Sequence, residues 1–409
     1  MTEGGPPHIS ADELALRLGV DRDRVRQLAD AGALQPDADR LFDAGDVHRL
    51  RLLLAFGAAG VPLEAMLDAS RAGAISLSYY DELHPPPGRL SDRSYADFVE
   101  SLGPGRDLVP RLFAAFGLAE PDAETYLTVD DERVIAEMAA MALDTGQPDL
   151  ALRAIRMFGE GARRAADGAL GVYGEAVARS DEDLRGLPVD DLFDRRLRPW
   201  ARFARASGTL AAWLMDHHMS RAIDDYSVTE TERTLEDAGF VAARLEVPPA
   251  IVFVDLTGFT RMTEERGDEV AAEVAMRLGE VTVDTIAGRG GRIVKLLGDG
   301  VLVHFGDAET AADGALDLLV AIPGAGLPTA HAGLAAGPLI VRDGDVFGRT
   351  VNLAARLADA TPDGRLYAPA SVAADLDPDR FTVTPAGRQE LPGIGSIGLA
   401  DVARVPVSP

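Results

Sequence analysis

The chain has 409 residues, enough for two or three domains, and its 47% apolar and 26% charged residues exclude wholesale disorder. Sixty-six acidic residues against 40 basic ones give a net charge of −26, which repels nucleic acid and anionic lipid wherever no basic patch intervenes. No cysteine is present, which removes disulfides, thiolate metal sites and cysteine nucleophiles. The N-terminal MTEGGPPHISADE has no basic flank or apolar stretch, and no run of about 18 uncharged apolar residues occurs. Neither a signal peptide nor a membrane span is expected, and the expected location is cytoplasmic.

Ser10-Ala-Asp-Glu13 reads as a capping box that opens a helix ending near Gly19. A second helix is expected from Asp21 to Ala31, stopping at Gly32, so the pair forms a helix-turn-helix pattern. The stretch Leu14 to Arg26, then Gly32-Ala-Leu34 and Phe42 with Asp46 to Leu50, resembles the DNA-binding head of MerR-type regulators over residues 9–67. The wing is shortened, and the aromatic pair expected after Arg26 is missing. Residues 1–70 hold 7 arginines and 12 acids, and Asp21 and Asp23 flank the arginines that would reach phosphates, Arg22, Arg24 and Arg26. DNA binding is therefore disfavoured, and a helical fold reused for regulation is expected.

Loop signals follow at His84-Pro-Pro-Pro-Gly88 and Gly103-Pro-Gly105. From about 130 to 225, apolar spacings of three and four predict several helices without a catalytic motif. His217 and His218 are adjacent, so they face different sides of a helix and make a poor metal pair; one is expected packed and one exposed. Thr229 to Ala243 reads as a helix or hinge, and Val247-Pro-Pro249 marks a boundary. Beyond it, strands at Ile251–Asp255, Arg292–Leu297, Val301–Phe305, Thr329–Ala335, Leu339–Arg342 and Arg365–Tyr367 alternate with helices at Arg261–Ala287, Ala308–Ile322 and Phe347–Ala360. The order β-α-β-β-α-β is the ferredoxin-like split motif. The expected fold is thus multidomain, an all-α N-terminal half followed by an α+β ferredoxin-like domain. Its expected parts are a helix-turn-helix at 1–75, a helical regulatory domain at 76–228, a connector at 229–247 and a catalytic domain at 248–409.

Asp255 ends a buried strand, and Asp299 sits in Gly298-Asp-Gly300 at a hairpin tip. In a split βαββαβ fold these two places lie side by side, so the carboxylates converge, and paired carboxylates want a divalent cation or a shared proton. The helix start at Leu256-Thr-Gly-Phe-Thr260 offers free N–H groups suited to phosphate. A metal–polyphosphate site is the expectation.

Three blocks carry a more specific signal: Phe253-Val-Asp255-Leu-Thr-Gly-Phe-Thr260, Lys295-Leu-Leu-Gly-Asp299-Gly, and Asp345-Val-Phe-Gly-Arg-Thr-Val-Asn352-Leu-Ala-Ala-Arg356. In that order they resemble the signature blocks of class III nucleotidyl cyclases, over residues 248–405. The resemblance implies that Asp255, Asp299 and the Leu256 carbonyl hold two Mg²⁺ or Mn²⁺ ions per active site. It implies that Lys295 and Asp345 recognise adenine, Asn352 orients the ribose, and Arg356 neutralises the transferring phosphate. Thr257, Gly258, Phe259 and Thr260 would line the phosphates. Lys295, the chain's sole lysine, can donate to adenine N1 while Asp345 accepts from the exocyclic amine; guanine presents the opposite pattern.

The implied reaction is attack of the ribose 3′-oxygen of ATP on the α-phosphorus, giving cyclic AMP and pyrophosphate. The implied assembly is a homodimer with sites at the subunit interface, because one chain carries both the metal set and the base set. A late-loop lysine usual in the family is replaced by Pro392, and Arg388 or another arginine would have to substitute for it. Control by the helical half, through a small-molecule, lipid or proton signal, follows by analogy with actinobacterial cyclases. The alternatives are a transcription regulator with a cyclase-like nucleotide sensor, and a guanylyl cyclase. Gly393-Ile-Gly-Ser-Ile-Gly398 matches G-x-G-x-x-G, but too little chain follows for a dinucleotide fold. His304 and His331 are read as packed strand residues.

Overall fold

The computed structural model describes residues 8–43, 45–75, 84, 87–179, 198–241 and 247–406. The chain divides into two compact units, Met1–Asp237 and Ala238–Pro409. Among the described residues, no helix is long and apolar enough to cross a membrane.

The first unit is helical. Helix α1 (Ala11–Leu18) is capped by the Ser10 hydroxyl, which accepts from the Glu13 N–H, and ends at Gly19 in the left-handed conformation. Helix α2 (Arg22–Asp30) starts at Asp21, whose carboxylate accepts from the Asp23 N–H. With α3 (Asp46–Ala58), α4 (Leu63–Arg71) and the short strand pair β1 (His8–Ile9) and β2 (Phe42–Asp43), they enclose Leu14, Val25, Leu28, Leu34 and Leu50. A separate core, with Phe98, Leu112, Phe113, Ile135 and Leu152, joins α5 (Tyr95–Ser101), α6 (Val109–Phe116), α7 (Val129–Asp144) and the start of α8 (Pro148–Arg179).

Helix α9 (Arg198–Asp237) has 40 residues, and Ala201 is its one buried residue among those described. Trp200 makes edge contacts with Tyr173 of α8 and with Phe203. The boundary expected between 228 and 229 falls inside this continuous helix, and connector residues 242–246 lie outside the described residues. Both His217 and His218 are exposed, which corrects the expectation that one is packed; His217 lies against the Trp213 ring instead.

The second unit is built on a seven-stranded mixed sheet. Its strands are β3 (Ala250–Leu256), β4 (Arg292–Leu296), β5 (Gly300–Phe305), β6 (Ala330–Ala336), β9 (Leu366–Pro369), β10 (Phe381–Leu391) and β11 (Gly395–Arg404), in the order β10-β11-β9-β6-β3-β5-β4. All neighbours are antiparallel except β6 with β9. The long helix expected from Arg261 to Ala287 is two, α10 (Phe259–Arg266) and α11 (Asp268–Ile286). Gly267 lies between them with φ 88° and ψ 168°, outside any helix.

Strand alternation sorts β3 onto two faces. Val252, Val254 and Leu256 enter the larger core with α11 and α12 (Ala308–Gly324). Ile251 and Phe253 face the other way, toward α13 (Arg349–Ala360). Asp255 continues this second row. Glycine at 333 lets α13 approach: a Cβ there would lie 2.2 Å from the Ala354 carbonyl oxygen and 2.4 Å from the Ala358 nitrogen. The sheet face under α13 therefore sets where Asn352 and Arg356 stand.

Candidate active site

Asp255 sits at the end of β3, and the Leu256 N–H donates to the Asp299 carbonyl oxygen at 2.9 Å. The turn between β4 and β5 is thereby tied to the end of β3, as the two carboxylates require. Asp255 is half-buried, and its carboxyl is pushed up to about 6, first by burial, then by the charges of Asp299 and Asp359. Two acids crowded at a buried strand end destabilise each other's charge, and a divalent cation relieves that penalty. The hard oxygen donors of Asp255, Asp299 and the Leu256 carbonyl therefore fit Mg²⁺ or Mn²⁺. Among the described residues, no group of three or more His, Asp or Glu side chains could hold a metal ion.

The turn Thr257-Gly258 leads into α10. Gly258 adopts φ 74°, a left-handed conformation that glycine takes without a Cβ penalty. Phe259 packs against the larger core, and Thr260 is exposed in the first turn. The Thr257 hydroxyl is already engaged, donating to Asp363 Oδ1 at 2.8 Å.

Lys295 on β4 donates to Asp345 Oδ2 at 2.7 Å, and Asp345 opens strand β8 (Asp345–Phe347). That hydrogen bond holds the Asp345 carboxyl below its usual range against the opposing effect of burial, and the Val346 N–H assists. Asp345 is therefore an anionic acceptor beside a cationic donor. Strand β8 pairs with β7 (Ile340–Arg342).

Asn352 and Arg356, four residues apart on α13, are exposed and line one cavity of about 630 Å³ with Pro392 and Gly393. Among the described residues, no acidic side chain lines it. Arg356 pairs with Asp359 at 3.1 Å on the helix surface. Arg349, which the sequence reading did not single out, lines the same cavity. Arg388 points elsewhere, its guanidinium donating to the Ser396 carbonyl oxygen across the β10–β11 hairpin at 3.1 Å.

His331, expected from the sequence to be a packed strand residue, stands beside Asp255. It lies directly opposite Asp255 across the β3–β6 pair, with Nε2 3.8 Å from Asp255 Oδ2. Alternation could place it on the Asp255 face, but only the strand register brings it to this carboxylate. His304 is half-buried, and burial and the neighbouring Arg292 push its pKa down, which fits its packed reading.

No family model matches the chain. An adenylate cyclase of Streptomyces coelicolor is 29% identical over 301 residues, spanning 70% of this chain and 72% of that protein. A pH-sensitive adenylate cyclase of Mycobacterium tuberculosis is 28% identical, over 76% of this chain and 78% of its own length. Among solved structures, the adenylyl cyclase CyaB from P. aeruginosa is 21% identical with a TM-score of 0.35, covering 39% of this chain and 94% of that one. The second unit holds fewer than half of the residues, so the curated matches extend well into the first unit. Over most of its length the chain is thus similar to bacterial adenylate cyclases.

Proposed function

We propose that the chain converts ATP to 3′,5′-cyclic AMP and pyrophosphate. The observation that carries this reading is the convergence of Asp255 and Asp299 through the Leu256–Asp299 backbone bond, with the Asp255 carboxyl raised by burial and by its neighbour. Such a pair serves cations that accompany a polyphosphate. Bound there, Mg²⁺ or Mn²⁺ would supply Lewis-acid polarisation of the phosphates and lower the pKa of the 3′-hydroxyl; two ions per site is the family expectation.

The chain's own residues do the rest. Lys295 donates to adenine N1 and Asp345 accepts from the exocyclic amine; the 2.7 Å pair holds both groups ready for that exchange. Guanine offers a carbonyl and a ring N–H at these positions, so both contacts become repulsive. Asn352 orients the ribose, and Arg356, one turn on, offsets charge growing on the α-phosphate as the P–O bond to pyrophosphate breaks. The N–H groups of the Thr257–Thr260 turn meet the phosphates. The 3′-hydroxyl proton leaves to solvent.

The metal carboxylates of one chain would face the Lys295, Asp345, Asn352 and Arg356 set of a second, in a two-fold homodimer. The strand sequence β6-β3-β5-β4, with α10 and α11 before β4 and α12 before β6, supports a ferredoxin-like βαββαβ core extended by β9, β11 and β10. We read residues 1–75 and 76–228 as separate regulatory parts, supported by their two cores, and 248–409 as catalytic. The connector begins within α9.

DNA binding by the first part stays disfavoured, since Arg22 pairs with Asp12 and Arg26 with Asp23. The test is incubation of the full chain with Mn²⁺ and ATP or GTP. Cyclic AMP as the dominant product is expected. Dominant cyclic GMP would favour the guanylyl alternative, and no cyclic product together with sequence-specific DNA binding would favour the regulator.

A further inference from the structure

We propose that His331 is a positioning residue for Asp255 and for the hydrated cation that Asp255 holds. The proposal rests on the reading of Asp255 as a metal ligand.

The argument starts from strand register. Asp255 and His331 are direct partners in the β3–β6 pair, so their side chains leave the same face of the sheet. The His331 side chain is only 16% exposed, which fixes its ring. The next constraint comes from a residue distant in sequence. Thr257 Oγ1 donates its one proton to Asp363 Oδ1 at 2.8 Å. Toward His331 Nδ1, 3.3 Å away, the same hydroxyl oxygen can then only accept. This assigns the ring proton to Nδ1 and leaves Nε2 with its lone pair.

That lone pair lies 3.8 Å from Asp255 Oδ2. The gap is too long for a hydrogen bond, and two acceptors facing one another repel unless a donor stands between them. A cation held by Asp255 that keeps part of its hydration shell, as Mg²⁺ does, offers that donor as a bound water. His331 then orients the hydrated ion against Oδ2 and forms one wall of the carboxylate's rotamer. Asp363 and Thr257 fix the ring's tautomer, the arrangement expected of residues that tune a metal site from outside its direct contacts.

The experiment measures Mn²⁺ binding to the full chain without nucleotide, by the loss of the free-ion electron-spin signal. Asp255→Ala defines the Asp255-dependent part. His331→Ala is expected to weaken that part about 10-fold. His331→Gln, which keeps an acceptor, is expected to recover most of it. Asp363→Ala, on an exposed loop, is expected to weaken it in the same direction without unfolding the chain. In the cyclase assay, His331→Ala should raise the metal concentration for half-maximal rate by the same factor and leave the ATP KM at saturating metal unchanged.

The proposal is overturned if Asp255-dependent Mn²⁺ binding is the same in His331→Ala, or if no such binding exists. It is also overturned if the Gln and Ala variants lose binding equally and lose thermal stability with it. Histidine-dependent Mn²⁺ binding in a chain that forms no cyclic nucleotide would sink the cyclase reading and leave this inference standing. Cyclisation that is indifferent to His331→Ala would do the reverse.

Discussion

Gly333→Ala isolates the contact that sets helix α13 on its sheet. The added Cβ would meet the Ala354 carbonyl oxygen at 2.2 Å, the Ala358 nitrogen at 2.4 Å and Leu357 Cβ at 2.7 Å, whereas ordinary contacts run from 3.4 to 4 Å. Two of the three are backbone atoms of α13, so no side-chain rotation relieves the clash. The helix must withdraw by about 1 Å or more, at an overpacking cost of about 1–3 kcal/mol. In a domain of this size that lowers Tm by roughly 2–10 °C. Asn352 and Arg356 ride on the same helix, and a misplacement of about 1 Å costs on the order of 10²-fold in rate. Differential scanning fluorimetry and a cyclic AMP assay read both effects. Gly306→Ala is the control, because nothing lies within 4 Å of its added Cβ. Wild-type Tm and wild-type turnover in Gly333→Ala would refute the reasoning.

Lys295→Ala removes the partner of Asp345 and, on the proposed reading, the donor to the base. We expect the ATP KM to rise about 10-fold or more and the preference for ATP over GTP to shrink, read by parallel assays with both nucleotides. In the first unit, Glu132 accepts from Arg93 and from the Ser91 hydroxyl. Burial pushes its pKa up, but those hydrogen bonds outweigh it and hold the group below its ordinary 4.5. A depressed carboxylate stabilises the fold above its unfolded pKa, and that contribution is lost as pH falls through the folded value. Glu132→Gln should therefore cost about 1–2 kcal/mol at pH 7, and the difference from wild type should fade below about pH 4 in a thermal-melt series. Asp255→Ala and Asn352→Ala should each be inactive alone. Mixed in equal amounts they should recover up to about a quarter of wild-type activity, because half of the random dimers then carry one intact site. No recovery would count against a site built from two chains.

The placement of the three motif blocks was legible because the signals for it are local. Asp255 follows a run of apolar strand residues, Asp299 sits at a glycine turn, and Asn352 and Arg356 are one helical turn apart. Strand β8 was not legible: the helix was expected to start at Phe347, yet Asp345–Phe347 pairs with Ile340–Arg342. The missed signal was Asp343-Gly344, whose φ angles of 56° and 77° make the left-handed hairpin turn that Asp-Gly favours. Likewise Gly267 divides the expected long helix at a conformation that only glycine adopts freely. The hairpin of β10 and β11 escaped because most of β10 is exposed, which blurs the apolar alternation that marks a strand. His331 was legible as a strand residue only, since its relation to Asp255 depends on register between strands about 75 residues apart, which periodicity cannot report.

Charge supplies the remaining step. The end of β3 concentrates Asp255 and Asp299, and among the described residues no arginine or lysine is paired with either. The cavity on α13 shows the opposite sign, with Arg349 and Arg356 in its lining and no acid among the described residues there, in a chain of net charge −26. A nucleotide triphosphate with its cations is itself divided in this way, positive where the metals sit and negative along the phosphates. On the proposed reading, each chain would offer its acidic surface to the metals and its basic one to the phosphates. Two copies related by a two-fold axis would set one against the other twice, which is the arrangement that the mixing experiment is built to detect.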